Sequence, residues 1–206
     1  MVKKESKKIH IIDGIKLSSV YSGMYNHKRL DLSIIEISKG STVSGVFTKN
    51  KAKSDTVTIS QTNLKKATPK YIIVNSGNAN AGTGDKGYKD IIKYCDNLAK
   101  ESNIKSQDIL VFSTGVIGER INVSKIINVI PRLLNSLKSK NWVNFSKSIL
   151  TTDTKNKIIS KKIKIKDKEI SITGVTKGSG MINPNMATML SFVATDIKIT
   201  KTILSK

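Results

Sequence analysis

An α/β (α+β) fold, with helices layered on mixed sheets, is predicted for this chain by three observations. Short runs rich in Ile, Val and Thr alternate with segments whose apolar residues recur at helical spacing. Lysine and isoleucine alternate on both sides of residues 166–169, which is typical of a hairpin with one face in water. No linker divides the 206 residues, a length that suits one large domain or two small ones.

The first half of the chain begins with strands and continues into a helix. Strand-like runs occupy residues 32–38, 44–48, 56–60 and 70–76, and a Gly/Asn-rich loop follows at 76–87. Apolar residues at 91, 92, 95, 98 and 99 then lie on one face of a helix. We therefore expect Cys95, the only cysteine, to be a small core residue. The apolar run at 108–113 predicts a further strand, which leads into a loop.

The second half begins with a helix after Asn122, a residue that favours the N-cap position. Pro131 lies within this helical segment and predicts a kink or break near residue 130. Residues 141–151 predict another short helix, and 157–175 predict the Lys/Ile hairpin. A last strand is expected to begin at Thr188.

The charge of the chain is strongly positive, with 36 Lys and Arg against 15 Asp and Glu, or +21. These lysines are spread along the chain among Ile and Asn rather than among aromatic residues. No base-stacking or groove-reading motif accompanies them, so no nucleic-acid partner is expected. A basic nucleic-acid-binding protein remains an alternative, for which a steep salt dependence of binding would be decisive.

The first residues lack the long apolar region of a secretory signal, and no stretch approaches the length of a membrane span. We expect a soluble cytoplasmic protein without a membrane partner. His10 and His27 are the only histidines. The chain therefore has few of the residues that a metal site or a Ser-His-Asp triad needs, and no metal is expected.

A GxGxxG pattern at Gly82, Gly84 and Gly87 raises the question of a dinucleotide site. Six residues separate its first glycine from the end of the preceding strand, and no carboxylate follows the next strand. We interpret the pattern as a loop that needs glycine's backbone freedom, and no nucleotide cofactor is expected.

One known solution for acyl chemistry uses no histidine: a threonine at a newly made N-terminus. Its hydroxyl attacks, and its own α-amine takes the proton. In residues 177–196 a loop shaped by Gly178, Gly180 and Pro184 precedes the predicted strand at Thr188. The small Ala187 would let the Thr188 hydroxyl reach the carbonyl before it.

The same segment, "KGSGMINPNMATMLSFVATD", resembles the signature of the bifunctional ornithine acetyltransferase / glutamate N-acetyltransferase family of arginine biosynthesis. Further matching stretches are "SGVFTKNKA" (44–52), "VNSGNANAGTG" (74–84), "STGVIGERI" (113–121) and "LTTDT" (150–154). Together they cover almost the whole chain in the family's order.

The resemblance implies a role for each of several residues. Autocleavage would occur between Ala187 and Thr188, after which Thr188 becomes the nucleophile that accepts the acetyl group. Thr114 and Gly115 would form the oxyanion hole, and the substrate contacts would be Thr151, Lys177 and Thr188.

The implied reaction is a ping-pong acetyl transfer from N²-acetylornithine to glutamate through an acetyl-threonine. Acetyl-CoA is left open as a second donor, and no other cofactor is implied. An N-terminal-nucleophile amidase or peptidase is the alternative within the same structural class, and it would release acetate instead.

The resemblance also implies a division of the chain. Residues 1–187 correspond to the family's α part and residues 188–206 to the start of its β part, in one incomplete domain. The family's α and β chains are expected to form a heterotetramer. Because the β part supplies further substrate contacts, we expect residues 1–206 alone to have little or no activity.

Overall fold

Two β-sheets form the frame of the fold in a computed structural model, which describes residues 8–178 and 189–206. The first sheet has the strand order β1–β2–β3–β4, in which β1, β2 and β3 are antiparallel neighbours and β3 and β4 are parallel. Its strands are β1 Ile15–Val20, β2 Leu32–Ile37, β3 Tyr71–Asn78 and β4 Ile109–Val116. The second sheet is an antiparallel meander of β5 Lys157–Ile165, β6 Lys168–Lys177 and β7 Leu190–Thr195.

Six α-helices and one short 3-10 helix, Ser106–Asp108, complete the described elements. The α-helices are α1 Asp55–Lys66, α2 Gly84–Ser102, α3 Val123–Ile127, α4 Ile130–Asn135, α5 Trp142–Ser148 and α6 Lys201–Leu204. Helix α2 connects β3 to β4, as a parallel pair of strands requires a crossover. None of the helices in the described ranges has the length and apolarity that crossing a bilayer needs.

The first sheet is covered on both faces, which explains the apolar runs in its strands. Ile34 and Ile73 belong to a core shared with Ile91 and Leu98 of α2. The residues that follow them in β2 and β3, Ile35 and Val74, belong to a second core with α5 and the second sheet. Successive side chains of a strand point to opposite faces, so helices and the second sheet form layers on either side of the first sheet.

Aromatic side chains join the two sheets in the second core. Phe192 of β7 makes edge-to-face contacts with Phe112 of β4 and with Phe145 of α5, each with ring centroids 5.3 Å apart. Phe145 also meets Trp142 of the same helix at 6.4 Å. Helix α5 thus packs against both sheets and connects them.

Most of the predicted elements are confirmed. Strands β2, β3 and β4 correspond to the runs at 32–38, 70–76 and 108–113, with ends that differ by up to three residues, and the hairpin is β5–β6. The turn of this hairpin places Lys166 at φ +54°. The helix after Asn122 breaks into α3 and α4 just before Pro131, which lies in the first turn of α4. Cys95 is buried in α2, and burial raises the pKa of its thiol.

Two predicted strands are wrong, and one strand was not predicted. Residues 44–48 form no regular element, and residues 56–60 lie in α1. The Ser54 side chain caps α1 by accepting from the Thr56 N–H. Within α1, the Ser60 hydroxyl donates to the carbonyl of Val111 at 2.7 Å. Cap and tertiary contacts therefore outweigh the strand propensity of this β-branched segment. The strand that the sequence analysis does not predict is β1, Ile15–Val20.

We expect Phe145→Ala to lower the free energy of unfolding by about 3–5 kcal/mol, because it opens a cavity where α5 and β7 meet. Urea denaturation of the purified chain measures this change. Val143→Ala on the same helix is the matched control, since Val143 is exposed, and its effect should stay within about 0.5 kcal/mol. Equal effects for the two variants would contradict the role assigned to Phe145.

Candidate active site

Three of the predicted site residues come together around one ammonium group. Lys177 ends β6, Thr114 lies in β4, and Thr151 follows α5. The Lys177 Nζ donates to Thr114 Oγ1 at 2.6 Å and to Thr151 Oγ1 at 3.0 Å. Lys177 and Thr114 are only 4% and 7% exposed. The cluster therefore joins the second sheet to the first inside the protein.

The strand period explains why a lysine is buried here. Thr173, Val175 and Lys177 alternate with more exposed residues along β6, so they share the face that packs against the second core. Lys177 is the last member of this row. Its long side chain leaves the apolar core at the edge, where the hydroxyls of Thr114 and Thr151 meet it.

The surroundings of Lys177 shift its pKa in opposite directions. Burial lowers the pKa of the Lys177 ammonium, because a low-dielectric environment disfavours the charged form. The nearby Asp153 carboxylate raises this pKa, and the positive charge of Lys157 lowers it. Burial is the largest of the three effects, and the net shift is downward.

Asp153 also fixes the backbone where β6 ends. Its Oδ1 accepts from the Gly178 N–H at 3.1 Å and from Lys157 Nζ at 3.2 Å. Lys157 Nζ in turn donates to the Gly178 carbonyl at 2.9 Å. Both polar groups of the Gly178 backbone are thus held by side chains, immediately before the segment that leads to Thr188.

Gly115 lies next to Thr114 at a point where two backbones approach closely. It stands opposite Gly77 in the parallel pair of β3 and β4, next to a register shift at Asn78. A Cβ on Gly115 would lie 2.3 Å from the Gly77 carbonyl carbon, and its φ is +141°. Only glycine fits both the space and the conformation.

A buried amide network supports this strand end, and the sequence reasoning missed it. Ser113 Oγ donates to Asn75 Oδ1 at 2.6 Å, and Asn80 Nδ2 donates to Ser113 Oγ at 2.8 Å. Asn75 Nδ2 reaches the Asn78 carbonyl at 2.8 Å, and the Asn78 Oδ1 accepts from the Asn80 N–H at 2.8 Å. Three asparagines within residues 75–80, at the end of an apolar strand, were the available signal.

The loop that follows Gly115 is held on helix α2. The Arg120 guanidinium makes a bidentate contact with Asp90, with Nε to Oδ2 at 2.8 Å and Nη2 to Oδ1 at 2.7 Å. Asn78 Nδ2 donates to the Glu119 carbonyl at 2.9 Å. These contacts hold the chain after Gly115, and the network around Ser113 holds it before Thr114.

Ala187 and Thr188, the predicted cleavage residues, lie outside the described residues. The residues on either side of this segment are close to each other. Lys177 pairs with Leu190, and Thr176 Oγ1 donates to the Leu190 carbonyl at 3.1 Å. A Cβ on Gly178 would lie 3.0 Å from Met189 Cγ. The chain therefore leaves and re-enters the second sheet beside the Lys177 cluster.

The groups that meet in this cluster are of kinds that bind anions. Within residues 8–178 and 189–206, no three His, Cys, Asp or Glu side chains are placed to share a metal ion. A cation, two hydroxyls and a glycine backbone are placed together instead, and such groups can bind a carboxylate or an oxyanion.

The model of the ArgJ family matches residues 16–206, which include all of these residues. The chain belongs to the ArgJ family. The arginine biosynthesis bifunctional protein ArgJ of Psychrobacter arcticus is 42% identical over 96% of this chain and 49% of its own length. That of Caldanaerobacter subterraneus is 40% identical over 97% and 49%. This ArgJ family member thus spans about half the length of the curated relatives it matches.

Two solved structures share its fold. A crystal structure of ArgJ from Bacillus halodurans matches with a TM-score of 0.78 and 33% identity, over 85% of this chain and 92% of that one. An ornithine acetyltransferase from Mycobacterium tuberculosis, solved in complex with ornithine, matches with a TM-score of 0.79 and 25% identity. It covers 87% of this chain and 96% of the solved one. The predicted α/β fold class and the family resemblance are both confirmed.

In this ArgJ family member, Gly115→Ala should lower the free energy of unfolding by about 2–6 kcal/mol, since overpacking against Gly77 adds to backbone strain. Gly118→Ala is the matched control, because Gly118 has φ +85° but a Cβ added there would meet nothing within 4 Å. The control should cost about 1–2 kcal/mol from strain alone. Chemical denaturation measures both, and a larger loss for Gly118→Ala would contradict the close approach.

The lowered pKa of Lys177 gives a stability that rises with pH. Between that pKa and the ordinary value of 10.5, the unfolded chain holds the proton more firmly than the folded chain. This contribution is fully present above pH 10.5 and is lost as the pH falls through the lowered pKa. The parent should therefore gain stability relative to Lys177→Met as the pH rises from neutral to 10.5. Urea unfolding across this range, with exposed Lys161→Met as control, checks it, and parallel curves would contradict it.

Proposed function

We propose that this chain supplies the nucleophile and the oxyanion hole of an acetyltransferase that moves an acetyl group from N²-acetylornithine to glutamate. The observation that carries the proposal is the contact of Lys177 with Thr114 and Thr151, beside Gly115. The segment that contains Thr188 leaves and rejoins the second sheet at this cluster. Membership of the ArgJ family supports the same reaction.

The first step of the proposed mechanism is self-cleavage at the Ala187–Thr188 bond. The Thr188 hydroxyl attacks the Ala187 carbonyl carbon, and the oxyanion that forms is stabilised by Thr114 and Gly115. The C–N bond then breaks, the hydroxyl proton passes to the released nitrogen, and an ester remains. Water hydrolyses this ester. The products are a carboxylate on Ala187 and a free α-amine on Thr188.

The second step uses the new N-terminus for acetyl transfer. An α-amine has a pKa of about 7.7–8.0, so it can accept the Thr188 hydroxyl proton near neutral pH. The hydroxyl oxygen attacks the acetyl carbon of N²-acetylornithine, the amide C–N bond breaks, and ornithine leaves with the proton. The glutamate amine then attacks the acetyl ester, which releases N-acetylglutamate and restores Thr188.

Thr151 and Lys177 are the proposed substrate contacts. An ammonium group is a suitable counter-ion for an amino-acid carboxylate in a site that water does not reach freely. The Mycobacterium tuberculosis structure was solved with ornithine bound, which supports an amino-acid ligand for this fold. We propose no cofactor, and acetyl-CoA is a second donor to be tested.

The division of the protein is part of the proposal. Residues 1–187 would form the α chain and residues 188–206 the beginning of the β chain, with α and β chains in a cytoplasmic heterotetramer. The coverage of the relatives supports this division. The solved chains are matched over 92% and 96% of their length, whereas the curated relatives are matched over about half.

Thr188→Ala should abolish both cleavage and acetyl transfer, because it removes the attacking hydroxyl. Thr188→Ser should retain part of each activity, since serine keeps the hydroxyl. Mass spectrometry and N-terminal sequencing of the full gene product should find a fragment that begins at Thr188 in the parent and none in Thr188→Ala.

The transfer reaction is measured on the same samples by following N-acetylglutamate made from N²-acetylornithine and glutamate. An uncut parent that is fully active, or cleavage at another bond, would refute the mechanism. Release of acetate without formation of N-acetylglutamate would favour the amidase alternative.

A further inference from the structure

We propose that Lys177 acts through Thr114: the ammonium group fixes the Thr114 hydroxyl as a hydrogen-bond donor toward the oxyanion. This makes Lys177 a positioning residue for the oxyanion hole, in addition to any contact with substrate. The inference rests on the proposed function, because it concerns the oxyanion hole of that reaction.

The direction of the hydrogen bond follows from the chemistry of the two groups. An ammonium group has three donors and no acceptor, so the Thr114 oxygen must accept in the 2.6 Å contact with Lys177 Nζ. The hydroxyl's own hydrogen must then point away from Lys177. A hydroxyl that accepts from a cation is polarised and becomes a stronger donor.

The neighbouring structure restricts where this hydrogen can point. Thr114 is 7% exposed, and the backbone at Gly115 is fixed against Gly77. Ser113 on the other side is held by Asn75 and Asn80. A threonine held in this way keeps its hydroxyl in one place, so the ammonium decides mainly the orientation of the O–H bond.

A neutral amine at Lys177 would remove this control. It could accept from the Thr114 hydroxyl, and the hydrogen would then point at Lys177 and be lost to the oxyanion. Asp153 favours the ammonium form, whereas burial and Lys157 favour the amine. Under the proposed function, the α-amine created at Thr188 is a further titratable group near this site.

Self-cleavage separates this role from substrate binding. The attack of Thr188 on Ala187 forms an oxyanion but involves no free amino-acid carboxylate. A lysine that served only as a counter-ion for substrate would leave the rate of cleavage unchanged. A lysine that orients the Thr114 hydroxyl must alter that rate.

The experiment is a double-mutant cycle on the rate of self-cleavage. The full gene product is made by cell-free synthesis, and the fragment that ends at Ala187 is followed over time by mass spectrometry. The variants are Lys177→Met, Thr114→Val and the double variant. Lys161→Met serves as the control for loss of an exposed positive charge from the same sheet.

We expect Lys177→Met to slow cleavage roughly tenfold or more, below the 10²–10³-fold loss typical of a missing oxyanion donor. In the Thr114→Val background the same change should have little further effect, because its target is gone. Lys161→Met should cleave at the parental rate. Parental cleavage in Lys177→Met, or independent effects that multiply in the double variant, would overturn the inference.

A pH series gives a second readout that leaves Lys177 in place, in case Lys177→Met does not fold. The ratio of the parent rate to the Thr114→Val rate should fall as the pH rises and Lys177 loses its proton. A ratio that stays constant up to pH 10.5 would overturn the inference. A parent that is never cut at Ala187 would instead refute the proposed function and, with it, this inference.

Discussion

The contact between the Lys177 ammonium and the Thr114 hydroxyl is the interaction on which the candidate site depends. It connects the end of β6 in the second sheet to β4 in the first. A buried charge is costly unless hydrogen bonds satisfy it, and here Thr114 and Thr151 accept two of them. Burial of the charge has a free-energy cost, which lowers the pKa of Lys177. A core with only a structural role would avoid this cost by placing an apolar residue here.

The rest of the site is arranged so that this contact has a fixed geometry. The close backbone approach of Gly115 and Gly77 sets the position of β4 relative to β3. The asparagine network behind it satisfies buried polar groups that would otherwise allow the loop to shift. Donors that are placed before the reaction need no reorganisation when charge develops, which is the main source of their effect.

The second core fixes the position of the two sheets relative to each other. Phe192 in β7 packs on Phe112 of the first sheet and on Phe145 of α5, so the two sheets cannot slide independently. Lys177 and Leu190 pair directly, two residues along β7 from Phe192. The aromatic contacts therefore hold both ends of the segment that contains Thr188 against the first sheet. Asp153 and Lys157 add a polar restraint at Gly178.

The sequence by itself determined the fold class and the family, and it predicted Lys177, Thr114 and Thr151 as residues of one site. Periodicity located β2, β3, β4, the β5–β6 hairpin and α2, because these elements bury regular apolar faces. Periodicity gave a wrong prediction at residues 56–60, which are mostly β-branched but lie in a helix because Ser54 caps it and Ser60 contacts β4.

Only the tertiary structure decided that Lys177, Thr114 and Thr151 meet. Thr151 and Thr114 are 26 and 63 positions from Lys177 in the chain, and the packing of the two sheets brings them together. It also decided that Asn75 in β3 and Asn80 just after it are buried partners of Ser113 in β4, because hydrogen bonds between distant side chains leave no periodic signal in the chain.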